Sequence, residues 1–69
     1  MIYKHKQYGI IWDVDPSNRS KGKLIQVGNN MGWNKSDVGT VLSNLNEEAW
    51  TNGLWIEITF SEYIKLLNK

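Results

Sequence analysis

Two segments of this chain have apolar residues at a period of two, which is typical of strands that bury one face, and a third is a short run of apolar character that ends at a glycine and two asparagines. The alternating segments cover residues 7–14 and 54–60, and the short apolar run covers residues 23–27. In the first segment the apolar side consists of Tyr8, Ile10, Trp12 and Val14. The pattern predicts three strands. The first two along the chain are close enough in sequence to pair as an antiparallel hairpin, joined by an exposed loop of turn-forming residues over positions 15–22.

The apolar period changes after the second strand. From Ser36 onward the spacing fits one face of a helix, formed by Val38, Val41, Leu42, Leu45 and Ala49. Asn34 or Ser36 could cap the first turn, and Gly53 lies beyond the last one. We predict a main helix over residues 36–50, although Gly39 inside it costs about 1 kcal/mol relative to alanine. Residues 46–50 form either its last turns or a separate short helix capped by Asn46.

A second, shorter helix is predicted at the C-terminal end. Ser61 is a suitable N-cap, and Thr59 with Glu62 offers an alternative capping box. An apolar side follows, consisting of Tyr63, Ile64, Leu66 and Leu67. The helix therefore has both a start signal and a face to bury.

These elements predict an α+β fold in ββαβα order. Three strands form a small sheet, the main helix packs on one of its faces, and the short C-terminal helix lies at one end. At 69 residues, a chain of this size buries only roughly 60% of its unfolded surface, so we expect residues 1–69 to form a single small domain. The third strand could pair parallel or antiparallel, because a helix precedes it. The predicted core is Ile10, Trp12, Val14, Ile25, Val27, Val38, Val41, Leu42, Leu45, Ile56, Ile58, Phe60, Ile64 and Leu67.

The composition excludes several kinds of function. The sequence has no cysteine and one histidine, His5, so disulfides are excluded and further metal ligands would have to be carboxylates. Asp13 and Asp15 have the spacing that opens a calcium loop, but the rest of that motif is missing. We expect no metal and no cofactor. No apolar run is long enough for a signal-peptide core or a membrane span, so we expect a cytoplasmic protein without a membrane partner.

Catalytic side chains are equally scarce. No serine lies in a nucleophile motif, and His5 lies between two lysines at an end of the chain that we expect to be frayed and exposed. A small endoribonuclease is the enzyme class that could use such residues, if Lys4, His5, Tyr8 and Arg19 met around a phosphate. We predict instead that the protein is not an enzyme and has no catalytic residues.

The surplus of aromatic residues favours a binding function. Tryptophan and tyrosine are enriched at the energetic centres of protein interfaces. The aromatic residues that exceed what so small a core can easily enclose are Tyr8, Trp12, Trp33, Trp50, Trp55 and Tyr63. Trp55 and Glu57 alternate with the apolar side of the third strand, so we expect them to point away from the core. The predicted partner-binding residues are Trp55, Trp33, Glu57 and Trp50. The leading hypothesis is a regulator or inhibitor that docks on a larger protein, or on its own copy, beside an unpaired strand edge.

Binding of nucleic acid is the alternative hypothesis. The formal net charge is only +1, so no strong overall field attracts a polyanion. A basic hairpin loop could still contact phosphates, although a few cations give only weak, salt-sensitive binding. The residues predicted for this alternative are Arg19, Lys21 and Lys23, with Lys4 and Lys6 if the N-terminal segment lies alongside.

Overall fold

The computed structural model describes residues 1–28 and 32–68, and within them the chain forms an antiparallel five-stranded sheet with one α-helix. The strands are β1 (Ile2–His5), β2 (Ile11–Asp15), β3 (Asn18–Gln26), β4 (Val41–Leu42) and β5 (Trp55–Ile58), and the helix is α1 (Phe60–Leu67). Two 3₁₀ helices, Lys35–Asp37 and Glu47–Thr51, flank β4. The prediction of a small mixed α/β fold is confirmed.

The predicted three-stranded sheet is wrong. The order across the sheet is β4-β3-β2-β1-β5, and each neighbouring pair is antiparallel. The first four strands form a meander, and β5 returns to the free side of β1, with Ile2 opposite Ile58 and His5 opposite Trp55. The pairing of β5 with β1 joins residues that are 50 or more positions apart in the sequence. A local sequence pattern does not predict such a pairing.

β1 replaces the frayed N-terminal segment that we expected. Its side chains alternate, since Tyr3 and His5 face the core while Lys4 lies on the opposite face with Ile2. The polar residues at positions 4–6 hide this alternation in the sequence. His5 is only 6% exposed, so the expectation that it lies on the surface is also wrong.

The predicted main helix over residues 36–50 is absent from the described part of the chain. Gly39 has φ of 100°, outside the helical region. The backbone here bonds to β3 instead, because Gly39 N–H donates to Leu24 O at 2.7 Å and Leu45 N–H donates to Ser20 O at 2.8 Å. Five serine, threonine and asparagine residues between positions 36 and 46 also disfavour a helix, since their side chains compete for backbone bonds.

The predicted loop over residues 15–22 is in reality a tight turn. Strand β3 already begins at Asn18, and Gly22 lies opposite Val14 inside the β2–β3 ladder. The turn is held by Asp15, whose Oδ1 accepts hydrogen bonds from Ser17 N–H at 2.9 Å and from Ser17 Oγ at 2.7 Å. An aspartate side chain that accepts hydrogen bonds from the residue two positions later stabilises a tight turn, so a longer loop is not needed.

The turn should have a measurable dependence on pH. The Ser17 hydroxyl, and then its amide, hold the pKa of Asp15 below the ordinary value of 3.8. The folded-state pKa is depressed, so the stabilisation is present above 3.8 and is lost as the pH falls through the lowered folded-state pKa. We expect Ser17→Ala to raise the pKa of Asp15 in an NMR titration of its carboxyl carbon. An unchanged titration midpoint in that variant would contradict this account of the turn.

Ile2 and Ile11 are buried on one face of the sheet, the face that also carries Lys4. The larger buried cluster lies on the other face, which we call the core face. Its buried residues are Tyr3, Ile10, Trp12, Val14, Leu24 and Trp50. The predicted core residues Ile10, Trp12 and Val14 are confirmed there, and Leu42, Leu45 and Val27 pack against them from the periphery. Other predicted core residues are exposed instead, namely Val38, Val41, Ile56, Phe60, Ile64 and Leu67. The core is therefore centred on β1, β2 and β3.

The short C-terminal helix is confirmed. It is capped by Thr59 rather than by Ser61, in the capping box that the sequence offered as the alternative. Thr59 Oγ1 accepts from Glu62 N–H at 3.1 Å, while the Glu62 carboxylate accepts from Thr59 N–H at 3.3 Å. This reciprocal pair fixes where α1 begins, directly after β5.

Candidate protein-binding surfaces

Trp50 is a core residue rather than a surface residue. It is 7% exposed and stacks on Tyr3, with ring centroids 4.8 Å apart and planes inclined by 19°. Its indole N–H donates to Arg19 O at 2.8 Å. The 3₁₀ helix Glu47–Thr51 positions this ring, and the Asn46 side chain caps that helix by accepting from Glu48 N–H. Trp50 thus joins the helix to β1 and β3.

Trp55 also lies on the core side, contrary to the expected orientation. Cross-strand partners share a face, and Trp55 is opposite His5, whose ring is buried. The Trp55 ring is half-buried, edge-on to Trp50 at 5.2 Å and edge-on to His5 at 4.9 Å. The alternation of β5 was predicted correctly, but its two faces were assigned the wrong way round.

The other two predicted partner-binding residues do not complete one patch. Trp33 is half-buried and packs edge-on to Trp12, with centroids 5.6 Å apart. Glu57 is exposed at the rim of the core face, opposite Tyr3. The structure therefore brings Trp50 and Trp55 together, whereas Trp33 contacts Trp12 on β2 and Glu57 lies opposite Tyr3.

The His5 side chain is part of the turn between β1 and β2. Its Nδ1 accepts from Gln7 N–H at 3.1 Å and from Tyr8 N–H at 3.3 Å, which holds the β1–β2 turn. Tyr8 packs on the imidazole at 5.0 Å. Of the residues that an endoribonuclease would combine, His5 and Tyr8 are in contact, whereas Arg19 is bonded to Tyr3. One ring nitrogen of His5 is already committed to backbone amides.

The basic residues of the alternative hypothesis are separated by acidic ones. The Arg19 guanidinium donates to Tyr3 Oη at 3.0 Å and lies 5.8 Å from the centre of the Tyr3 ring. Lys21 and Lys23 line a shallow cavity of about 340 Å³ together with Asp13 and Asp15. Lys4 lines a different groove, which also contains Glu62 and Lys65, and Lys6 is exposed. The five cations do not form one basic stripe.

Among the described residues, most of the exposed large apolar side chains lie in the C-terminal quarter of the chain. Helix α1 has no buried residue, and Phe60, Ile64 and Leu67 are 67%, 36% and 52% exposed. These three residues, which we call the α1 stripe, are spaced by four and three positions and so share one side of the helix. Tyr63 and Leu66 are half-buried on a neighbouring side. At 100° per residue, the apolar side chains of α1 span an arc of roughly 160° around the helix axis. This arc is wider than the side of the helix that one contact with the sheet can cover.

An apolar groove runs between α1 and the outer face of the sheet, the face opposite the core face. Its lining consists of Met1, Ile2, Asp13, Ile25, Ile58, Phe60 and Tyr63. The cavity volume is about 390 Å³. Because Phe60 belongs both to the groove and to the α1 stripe, the two form one continuous apolar surface. The sequence showed that α1 is amphipathic, but only the packing shows which of its sides is left uncovered.

Strand β5 forms one edge of the sheet. In the described ranges no strand pairs with its outer side, whereas the opposite edge, β4, is only two residues long. Leu54, directly before β5, and Ile56 within it are 46% and 51% exposed. Natural sheets usually protect an edge with lysine, proline, a bulge or a very short strand. Only β4 shows such protection here.

The described residues contain no cluster of three or more histidine, cysteine or acidic side chains that could hold a metal ion. Within the same ranges no helix combines the length and apolar character needed to cross a membrane. Fold and surfaces together define a small mixed α/β protein built on a five-stranded antiparallel sheet. No family model, no curated protein and no solved structure matches this chain.

Proposed function

We propose that this chain is a non-enzymatic binding protein, a regulator or inhibitor that docks on a larger protein through the α1 stripe and the adjoining groove. The observation that carries the proposal is the exposure of Phe60, which is 67% accessible although it lies beside an apolar groove. Contiguous apolar surface on a small protein usually marks a contact site. An apolar side chain of the partner would enter the groove and cover Phe60.

The docking surface is placed on α1 rather than on Trp55 and Trp33 for a physical reason. Both tryptophan rings already have aromatic neighbours, so a partner would gain little further burial from them. An exposed phenylalanine still has most of its surface to lose to a partner. Complete burial of such a side chain contributes roughly 1.5–3 kcal/mol.

The test is affinity purification of tagged protein from a cell lysate, with and without nuclease, followed by mass spectrometry. We expect a stoichiometric protein that survives nuclease and is reduced at least about tenfold by Phe60→Asp, since a charge in the groove opposes burial. Ser61→Asp is the matched control. It introduces the same residue one position further along α1, where Ser61 is exposed and a carboxylate in the first turn is favourable.

Two results would contradict the proposal. If Phe60→Asp and Ser61→Asp retain the partner equally, the α1 stripe is not the docking surface. If the signal disappears with nuclease, the competing hypothesis is favoured, in which Arg19, Lys21 and Lys23, together with Lys4 and Lys6, contact nucleic acid. Circular dichroism of both variants checks that each remains folded.

A further inference from the structure

The backbone of β5 has a pattern of free hydrogen-bonding groups that its register with β1 determines. Antiparallel partners alternate between pairs that exchange hydrogen bonds and pairs that do not. Lys6 N–H donates to Leu54 O at 2.8 Å, so the pair of Lys6 and Leu54 is a bonded one. Ile56 with Lys4 and Ile58 with Ile2 follow at intervals of two and are bonded as well.

Trp55 and Glu57 are therefore the residues whose N–H and C=O groups point away from β1. The other side of β1 agrees with this assignment, because His5 N–H donates to Ile10 O and Val14 N–H donates to Met1 O. In β1 the odd positions bond to β2 and the even positions bond to β5. The outer edge of β5 thus offers two donors and two acceptors to another strand.

The side chains of the same strand are also available on one face. Leu54, Ile56 and Ile58, which we call the β5 row, alternate with Trp55 and Glu57 and lie on the outer face. Leu54 and Ile56 are about half exposed, and Ile58 is half-buried beside α1. An added strand would bond to the edge and cover this apolar row at the same time.

We propose that the occupant of this edge is a second copy of the chain, paired antiparallel through β5 about a twofold axis at Ile56. In that register Trp55 of each copy bonds to Glu57 of the other, so all the free backbone groups named above are satisfied. The β5 row becomes fully self-complementary, since Ile56 faces Ile56 and Leu54 faces Ile58. This inference goes beyond the proposed function, because it concerns the edge of the sheet and a different partner, although Ile58 belongs both to the β5 row and to the groove.

Charge and packing select this register among the symmetric ones. An axis at Glu57 would place the two glutamates directly opposite each other, and like charges in that position are destabilising. An axis at Trp55 would leave Ile58 opposite Asn52 and so would pair only Leu54 with Ile56. The axis at Ile56 gives three apolar cross-strand contacts and no like-charge pair. A net charge of only +1 also adds little repulsion between copies.

The absence of cysteine from the sequence allows a sharp test by disulfide trapping. At the axis, Ile56→Cys would bring two Cα atoms about 4.5 Å apart in a non-bonded antiparallel pair, within the range of about 4.4–6.8 Å that a disulfide spans. In the matched variant Glu57→Cys the two Cα atoms would be about 8 Å apart, which is too far. We expect mild oxidation to give a covalent dimer with Ile56→Cys and at least about tenfold less with Glu57→Cys, because only the former meets the geometric limits.

The unmodified protein provides the second measurement. Sedimentation equilibrium up to about 1 mM, a concentration that populates dimers with micromolar dissociation constants, should show the mass rising from 8.0 kDa toward twice that value. Ile56→Lys should remain monomeric, since it places two ammonium groups across the axis. Ile56 is half exposed, so both substitutions at this position should leave the fold intact, which circular dichroism verifies.

Several outcomes would overturn the dimer. These are a wild-type mass that stays at 8.0 kDa throughout, equal trapping of the two cysteine variants, or trapping of neither. If Ile56→Lys instead removes the protein partner captured from the lysate, the β5 edge belongs to that partner and not to a second copy. Loss of that partner with Phe60→Asp while the cysteine trap still works would separate the two proposals.

Discussion

Replacing Trp50 with alanine is expected to lower the free energy of unfolding by about 3–5 kcal/mol, the cost of removing a buried aromatic side chain. Trp50 is 7% exposed and connects the 3₁₀ helix Glu47–Thr51 to the sheet through its contact with Tyr3. A core of this size supplies about 3–5 kcal/mol in total. The variant should therefore be largely unfolded at 25 °C, which urea titration followed by circular dichroism will show.

Two further substitutions, one at Trp50 and one at Trp33, test this explanation. Trp50→Phe keeps an aromatic ring against Tyr3 but removes the N–H that donates to Arg19 O at 2.8 Å. It should cost about 1 kcal/mol for the hydrogen bond in addition to the lost ring volume. Trp33→Ala removes a tryptophan that is only half-buried against Trp12. If Trp33→Ala destabilised the protein as much as Trp50→Ala, burial would not explain the large effect expected at Trp50.

The parts of the fold that the sequence predicts correctly are those with local causes. The apolar side of β2 and the alternation of β5 each follow from a period of two within a few residues. Helix α1 follows from the capping box of Thr59 and Glu62, whose bonds span three positions. In each case the interactions that define the element lie inside the segment that was read.

The prediction of a main helix is wrong because the apolar residues in this segment are spaced for packing from β4 and the residues after it, and not for one face of a helix. Leu42 and Leu45 pack against the core, but they do so from β4 and the segment after it. Val38 and Val41, which would complete the helical face, are exposed. Bonds from this segment to Ser20 and Leu24 on β3 decide its conformation. Such contacts between distant segments override a weak local preference.

The candidate surfaces could be predicted only in part for a related reason. Alternation along β5 separates Trp55 and Glu57 from Leu54 and Ile56, but it does not say which set faces inward. That choice is made by β1, where Trp55 pairs with the buried His5. Once β1 is missed, the faces of β5 are reversed. The apolar residues that were assigned to the core then appear as the exposed surfaces on which both proposals rest.

Replacing Gly28 with alanine is the second change with a large expected effect. Gly28 lies against the backbone of Gly9, and a Cβ atom added to it would collide with Gly9 N and approach Gly9 Cα and Ile10 N to 2.8 Å. Backbone atoms cannot rotate away as a side chain does, and Ile10 is completely buried. The required shift would therefore pass into the core. We expect a loss of roughly 1–3 kcal/mol or more, as for other overpacked sites.

Gly9→Ala is the matched control because it adds the same methyl group to the other side of the same contact. Its Cβ would have only ordinary neighbours, Gln26 Nε2 at 3.6 Å and Gly28 Cα at 3.7 Å. The φ angle of Gly9 is not positive, so alanine should restrict the unfolded chain and stabilise the fold by about 0.4–1 kcal/mol. If urea titrations show that Gly28→Ala lowers the free energy of unfolding and Gly9→Ala raises it, the close approach lies at the Cα of Gly28. Equal losses would mean that the two backbones are nearer at Gly9 than described.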